Sequence, residues 1–122
     1  MIWQVVVAEV QALLARMLAA DPGYPFGPGV QVWKVGGKIF AIVSEDSEPV
    51  QISLKCDPEL ALDLREELPG QVKPGYHLSK RHWNTVVIDQ LPDGELEDWI
   101  GHSYDLVVAS LPSRIRQGIS KP

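Results

Sequence analysis

The chain has 122 residues, 45% of them apolar and 22% charged, with a formal net charge of −5 and one cysteine, Cys56. That length supports a single domain over residues 1–122 with an ordinary hydrophobic core, needing no metal or disulfide staple. The acidic balance argues against strong nonspecific DNA binding, which depends on phosphate neutralisation, and one cysteine excludes an intrachain disulfide.

The first segment, about Ile2 to Leu18, repeats apolar residues at helical spacing: Trp3, Val6, Val7, Val10, Leu13, Leu14 and Met17. Glu9, Gln11 and Arg16 interrupt it, and no basic run precedes it. It reads as an amphipathic helix, not a signal peptide or membrane span. With the lone cysteine, this points to a reducing cytoplasm. Asp21-Pro22-Gly23 ends the helix. The Pro/Gly-rich loop 22–29 holds Tyr24 and Phe26, and burial of these rings is expected to pin it.

Val30–Val35 and Lys38–Val43 read as strands joined at Gly36-Gly37, a two-residue hairpin signal. After the acidic turn Ser44–Pro49, Val50–Leu54 is a third strand, with Val50, Ile52 and Leu54 on one face. Asp57 is the N-cap of a second helix and Pro58 its first residue; Leu60, Ala61, Leu64 and Leu68 form its stripe. Pro69-Gly70 stops it. Gln71–His77 is an irregular segment that the pattern leaves open between strand and loop. Trp83–Ile88 is a strand of aromatic and β-branched residues. Asp93 caps a last helix over Gly94–Leu111, with Leu96, Trp99, Ile100, Ser103, Val107 and Leu111 inward. The tail 113–122 is expected to fray after one turn. Strands in a run, with helices between and around them, predict an α+β fold: a two-layer sandwich with helices on one face of an antiparallel sheet.

The densest chemistry lies in Tyr76–Thr85, which carries His77, His82, Lys80, Arg81, Tyr76 and Trp83. No acid occurs between Glu67 and Asp89. Strand alternation extended back from Trp83 puts Lys80, His82 and Asn84 on one face and Arg81, Trp83 and Thr85 on the other. If helices cover the Trp83 face, the first three point outward. With Lys34 they would make a face that contacts phosphates while an amide reads a base edge. Lys38 and Lys55 extend the basic set. The plainer reading is the solvated face that antiparallel sheets usually keep.

Other candidates are weaker. Cys56 has no Cys-x-x-Cys partner, so thiolate zinc binding is not expected; its place before a helix N-terminus could lower its pKa. His77 and His82, five apart, fall on opposite strand faces, and Glu95, Glu97, Asp98 and Asp105 read as a solvated helix surface near a favourable dipole end. No metal and no cofactor are expected. Tyr104 is expected to pack at the core with its hydroxyl bonded.

The chain resembles the MmcQ/YjbR family, which has a CyaY-like, secretion-chaperone-like α+β fold. The resemblance is carried by Val35-Gly36-Gly37-Lys38-Ile39-Phe40-Ala41, Leu54-Lys55-Cys56-Asp57-Pro58-Glu59, the block Pro74–Val86, and Ser103-Tyr104-Asp105-Leu106-Val107-Val108 followed by Leu111. Tyr24-Pro25-Phe26-Gly27 also fits. It departs at Ser79, where the family more often has asparagine, so no amide role transfers there. The resemblance implies the order α-β(3)-α-β(2)-α with about five strands, which makes Gln71–His77 a strand. It implies DNA binding, with Lys38, Lys55, Lys80, Arg81 and Trp83 as transferred positions, none of them catalytic.

The expectation is a non-enzymatic DNA-binding module using Lys34, Lys38, Lys55, Lys80, Arg81, His82 and Asn84. The alternative is a protein-interaction adaptor of the secretion-chaperone kind, favoured if Trp3 and Trp33 are exposed. A third reading is an enzyme or small-ligand binder with a pocket near Tyr24, Phe26, His77 and Tyr104. A monomer without membrane attachment is expected.

Overall fold

The computed structural model describes residues 2–75, 78–88 and 93–120. In chain order they form α1 (Ile2–Ala15), β1 (Asp21–Gly23), β2 (Val30–Val35), β3 (Lys38–Ser44), β4 (Gln51–Lys55), α2 (Pro58–Glu67), β5 (Val72–Pro74), β6 (Trp83–Val87), α3 (Asp93–Ser110) and α4 (Ser113–Ser120). The expected α+β architecture is present. All strand pairs are antiparallel, in one sheet of order β1-β2-β3-β4-β6-β5.

The Gly36-Gly37 turn forms as expected, with φ of 58° and 84°, the left-handed pair that a two-residue hairpin requires. Asp57 Oδ2 accepts from the Leu60 N–H at 3.4 Å and Pro58 opens α2, so the cap signal is realised. The segment left open by the pattern is strand β5, within Gln71–His77.

Three expectations are corrected. First, the described sheet, expected at about five strands, has six, and Asp21-Pro22-Gly23 does more than end a helix. It pairs with β2 as an edge strand, where a proline without an N–H is tolerated. Second, the tail does not fray after one turn. Leu111, Ile115 and Ile119 recur every four residues. Leu111 is buried, Ile119 packs on the core, and the bare backbone of Gly36 lets Leu111 and Ile115 come close. Third, Tyr24 and Phe26 are 47% and 69% exposed, so ring burial does not pin their loop. Backbone bonds do, from Gly27 N–H to Tyr24 O and from Glu45 N–H to Gly29 O.

One face of the sheet carries the core. Val43, Ile52, Val86 and Val72 lie side by side across β3, β4, β6 and β5, all at most 2% exposed. Val10 and Leu14 of α1, Leu64 of α2 and its C-cap Leu68, and Leu96, Ile100 and Val107 of α3 pack onto the same cluster.

Candidate nucleic-acid interface

The helix-covered face consumes its polar groups internally. The register between β2 and β3 pairs Trp33 with Ala41 and Lys34 with Ile39, so Phe40 is an extra residue in a bulge. The break would leave backbone groups unpaired beside it. Ser103 of α3, fully buried, repairs this: its hydroxyl donates to Phe40 O at 2.6 Å and accepts from the Lys55 N–H at 2.9 Å. The Phe40 ring meets Tyr104 edge-on, with centroids 5.4 Å apart.

Asn84 sits on this same face, and here the expected alternation is overturned. The helices cover the Asn84 side of β6, not the Trp83 side. Asn84 is 2% exposed; its Nδ2 donates to Ala61 O at 3.3 Å and its Oδ1 accepts from Arg65 Nε at 2.7 Å. An amide so committed cannot read a base. Arg65 also donates to Lys80 O and, at 3.2 Å, to Trp83 O, tying α2 to the start of β6. This arginine was not singled out in the sequence because nothing in its helical context marks a partner 19 residues away.

The other expected residues separate. Strand β6 begins at Trp83, and Lys80, Arg81 and His82 stand in the preceding turn, closed by bonds from the His82 and Trp83 N–H groups to Ser79 O. Alternation therefore does not apply to them; all three are exposed. Lys34 lies in β2, opposite Asp21 of β1. Lys38 is at the β2–β3 hairpin, its Nζ donating to Ser110 Oγ at 3.4 Å. Lys55 ends β4, opposite Trp83. Lys34 and Lys80 are separated by most of the sheet, so the seven residues do not form one patch.

The open face has an order of its own. Val32, Ile42, Ser53, Thr85 and Lys73 are successive cross-strand partners over β2, β3, β4, β6 and β5. The row passes from apolar through a hydroxyl pair, Ser53 and Thr85 at 2.9 Å, to a lysine. A concave space of about 1180 Å³ lies over the row from Ile42 to Lys73, bounded by Phe26 on one side and by Leu78 and Lys80 on the other. Among the described residues, no carboxylate lines it. Nothing in the sequence singles out Lys73, although it sits in the same acid-free run. Its strand is three residues long and has no apolar alternation to mark its face.

The remaining candidates resolve individually. Burial first, and the Asp57 charge second, push the Cys56 thiol up to about 11, with Arg65 opposing, so the lowering that a helix N-terminus could give does not occur. His102 Nε2 accepts from the Asp57 N–H at 3.2 Å, which fixes the approach to α2. The Tyr104 hydroxyl donates to Leu18 O at 2.6 Å, as expected of a core tyrosine, and burial raises its pKa. The Tyr24 hydroxyl donates to Glu45 at 2.7 Å, which raises its pKa. Tyr104 packs against Phe40 on the helix-covered side of the sheet while Phe26 borders the open face, so no pocket joins them; His77 lies outside the described residues. Trp33 is buried, with its Nε1 donating to Gln31 at 2.9 Å, and Trp3 packs against the core. The Trp33 ring is therefore not exposed, while Trp3 is partly buried. Among the described residues no group of three His, Cys, Asp or Glu side chains is placed to hold a metal ion, and no helix is long and apolar enough to cross a membrane.

The family model described as YjbR matches residues 15–106. The chain belongs to the MmcQ/YjbR family. It is 41% identical over 92 residues to the Escherichia coli O157:H7 protein YbdF, covering 75% of each chain. It is 40% identical over 85 residues to YjbR of Escherichia coli K12, covering 69% of this chain and 71% of that one. Among solved structures, Deinococcus radiodurans DR2400, with a DUF419 domain, superposes with a TM-score of 0.89 at 30% identity, over 95% of this chain and 88% of that one. A Pseudomonas syringae protein shares the fold at a TM-score of 0.65 and 24% identity, over 79% and 96% of the two chains. The matched span of this MmcQ/YjbR chain contains every residue named on the open face.

Proposed function

We propose that this MmcQ/YjbR protein is a non-enzymatic binding module of the cytoplasm that holds nucleic acid, DNA in the first instance, on the open face of its sheet. The observation that carries the reading is the concave, carboxylate-free surface edged by Lys73 and Lys80 in a chain of net charge −5. A concavity that no carboxylate lines among the described residues, in a protein of acidic balance, favours an anionic occupant there. The concavity exceeds the roughly 300–1,000 Å³ of small-ligand pockets, which suits a segment of polymer. The hydroxyls and the backbone-fixed turn at Lys80 supply polar contacts for sugar and phosphate. Arg81, exposed beside Lys80, adds positive charge at the rim.

The test is fluorescence anisotropy of labelled DNA against the whole chain across a salt series. Two lysine–phosphate contacts predict a log–log salt slope of about −1.4 on a single strand or about −1.8 on a duplex. Lys73→Ala with Lys80→Ala should abolish most of that slope while Lys38→Ala leaves it unchanged. No measurable binding at low salt, or equal loss in Lys38→Ala, would overturn the reading.

A further inference from the structure

The two margins of the open face differ in chemistry, and the difference selects between forms of nucleic acid. At the β2 side the surface is apolar, with Ile42 in the row, Val30 beside it and Phe26 standing 69% exposed at the margin. At the β5 side it is cationic, with Lys73 and Lys80. Four inter-strand steps separate β2 from β5, or ~19 Å. Resting on the reading above, we propose that the face takes a single strand rather than a duplex. The strand runs across the β-strands, with a base stacked on Phe26 and phosphates against Lys73 and Lys80.

Three arguments support this. A base stacks on an aromatic face only when it is unpaired and splayed from its neighbours, and stacking tolerates any sequence. An exposed phenylalanine serves that contact and contributes nothing to a phosphate backbone. Second, a duplex carries a charge about every 1.7 Å of axis, against one per 3.4 Å on a single strand. Two lysines on a chain of net charge −5 offset little of the duplex repulsion. Third, the row between the margins is apolar and hydroxyl-bearing, so positive charge is confined to the Lys73–Lys80 edge, which suits the backbone of one strand and not the two phosphate rails of a duplex.

The experiment titrates the full chain into fluorescein-labelled 12-nucleotide oligothymidylate, a 12-base-pair blunt duplex and, as a different anionic polymer, short polyglutamate. Oligothymidylate should bind at least tenfold more tightly than the duplex. Phe26→Ala should weaken it about tenfold, the size expected for losing one stacked base. Lys73→Ala should change the duplex and the single strand alike. Phe26 is exposed, so its variant keeps the fold, which a thermal melt checks. Duplex binding as tight as single-strand binding, or an unchanged Phe26→Ala, overturns the strand preference while leaving the nucleic-acid reading intact. Tighter binding of polyglutamate than of either nucleic acid overturns both.

Discussion

The two faces of the sheet use polar residues in opposite ways. On the covered face Ser103 and Asn84 each make two hydrogen bonds, and both are closed off from solvent. On the open face Ser53 and Thr85 bond each other and stand beside a concavity, with Lys73 next in the row. Polar side chains inside a dry layer are there to complete a backbone or a helix contact, since leaving such groups unpaired is costly. Polar side chains beside open space are available to a ligand. The contrast separates residues that share one sequence block: Asn84 belongs to the fold, and Lys80 to the surface.

Substitutions can break that contrast in graded steps. Ser103→Ala strands the Phe40 carbonyl and the Lys55 N–H together, at roughly 1–3 kcal/mol for each group. A loss of about 3 kcal/mol, or a fall in Tm of roughly 10 °C, is expected by calorimetry. A loss below about 1 kcal/mol would mean that water or relaxation replaces the hydroxyl. Asn84→Ala is next, at about 2 kcal/mol, because Ala61 O and the Arg65 guanidinium lose a partner. Its effect should shrink in an Arg65→Ala background, which a double-mutant cycle reads directly. On the open face, Lys73→Ala and Phe26→Ala should each stay within about 0.5 kcal/mol of the parent in a denaturant titration. A large loss from either would erase the distinction between the faces.

The smallest expected effect is a pH dependence. A thiol raised to about 11 in the fold from an ordinary value of 9.0 favours the folded state while it is protonated. Its contribution is full below pH 9.0 and is lost as pH climbs through about 11. Tyr104, also raised, acts in the same direction. Cys56→Ala should therefore flatten, without abolishing, the alkaline loss of stability followed by circular dichroism. An unchanged alkaline profile would remove Cys56 from the cause.

Most of the fold was legible because its signals are local. Gly36-Gly37 specifies its turn, Asp57-Pro58 its helix start, and Val50, Ile52 and Leu54 a strand face. What was not legible depended on contacts between distant segments. The facing of β6 turns on whether α2 reaches Asn84 or Trp83, and alternation in one strand cannot say which side a helix will choose. Lys80 and His82 are exposed as expected, but not through alternation: the chain is still turning there, so strand periodicity had no domain. Lys73 was hidden by the brevity of β5. The exposure of Phe26 was masked by an ordinary rule, that large rings bury, which the hydrogen-bonded loop overrides.

The most direct test of the division between faces is a two-dimensional amide NMR titration with unlabelled oligothymidylate. Perturbed resonances should cluster at Phe26, Ile42, Ser53, Lys73 and Thr85 and in the Leu78–Lys80 turn, with α1, α3 and the Lys38 hairpin unchanged. Perturbations centred on Lys38 and α4, or a spectrum untouched by the oligonucleotide at low salt, would contradict the account.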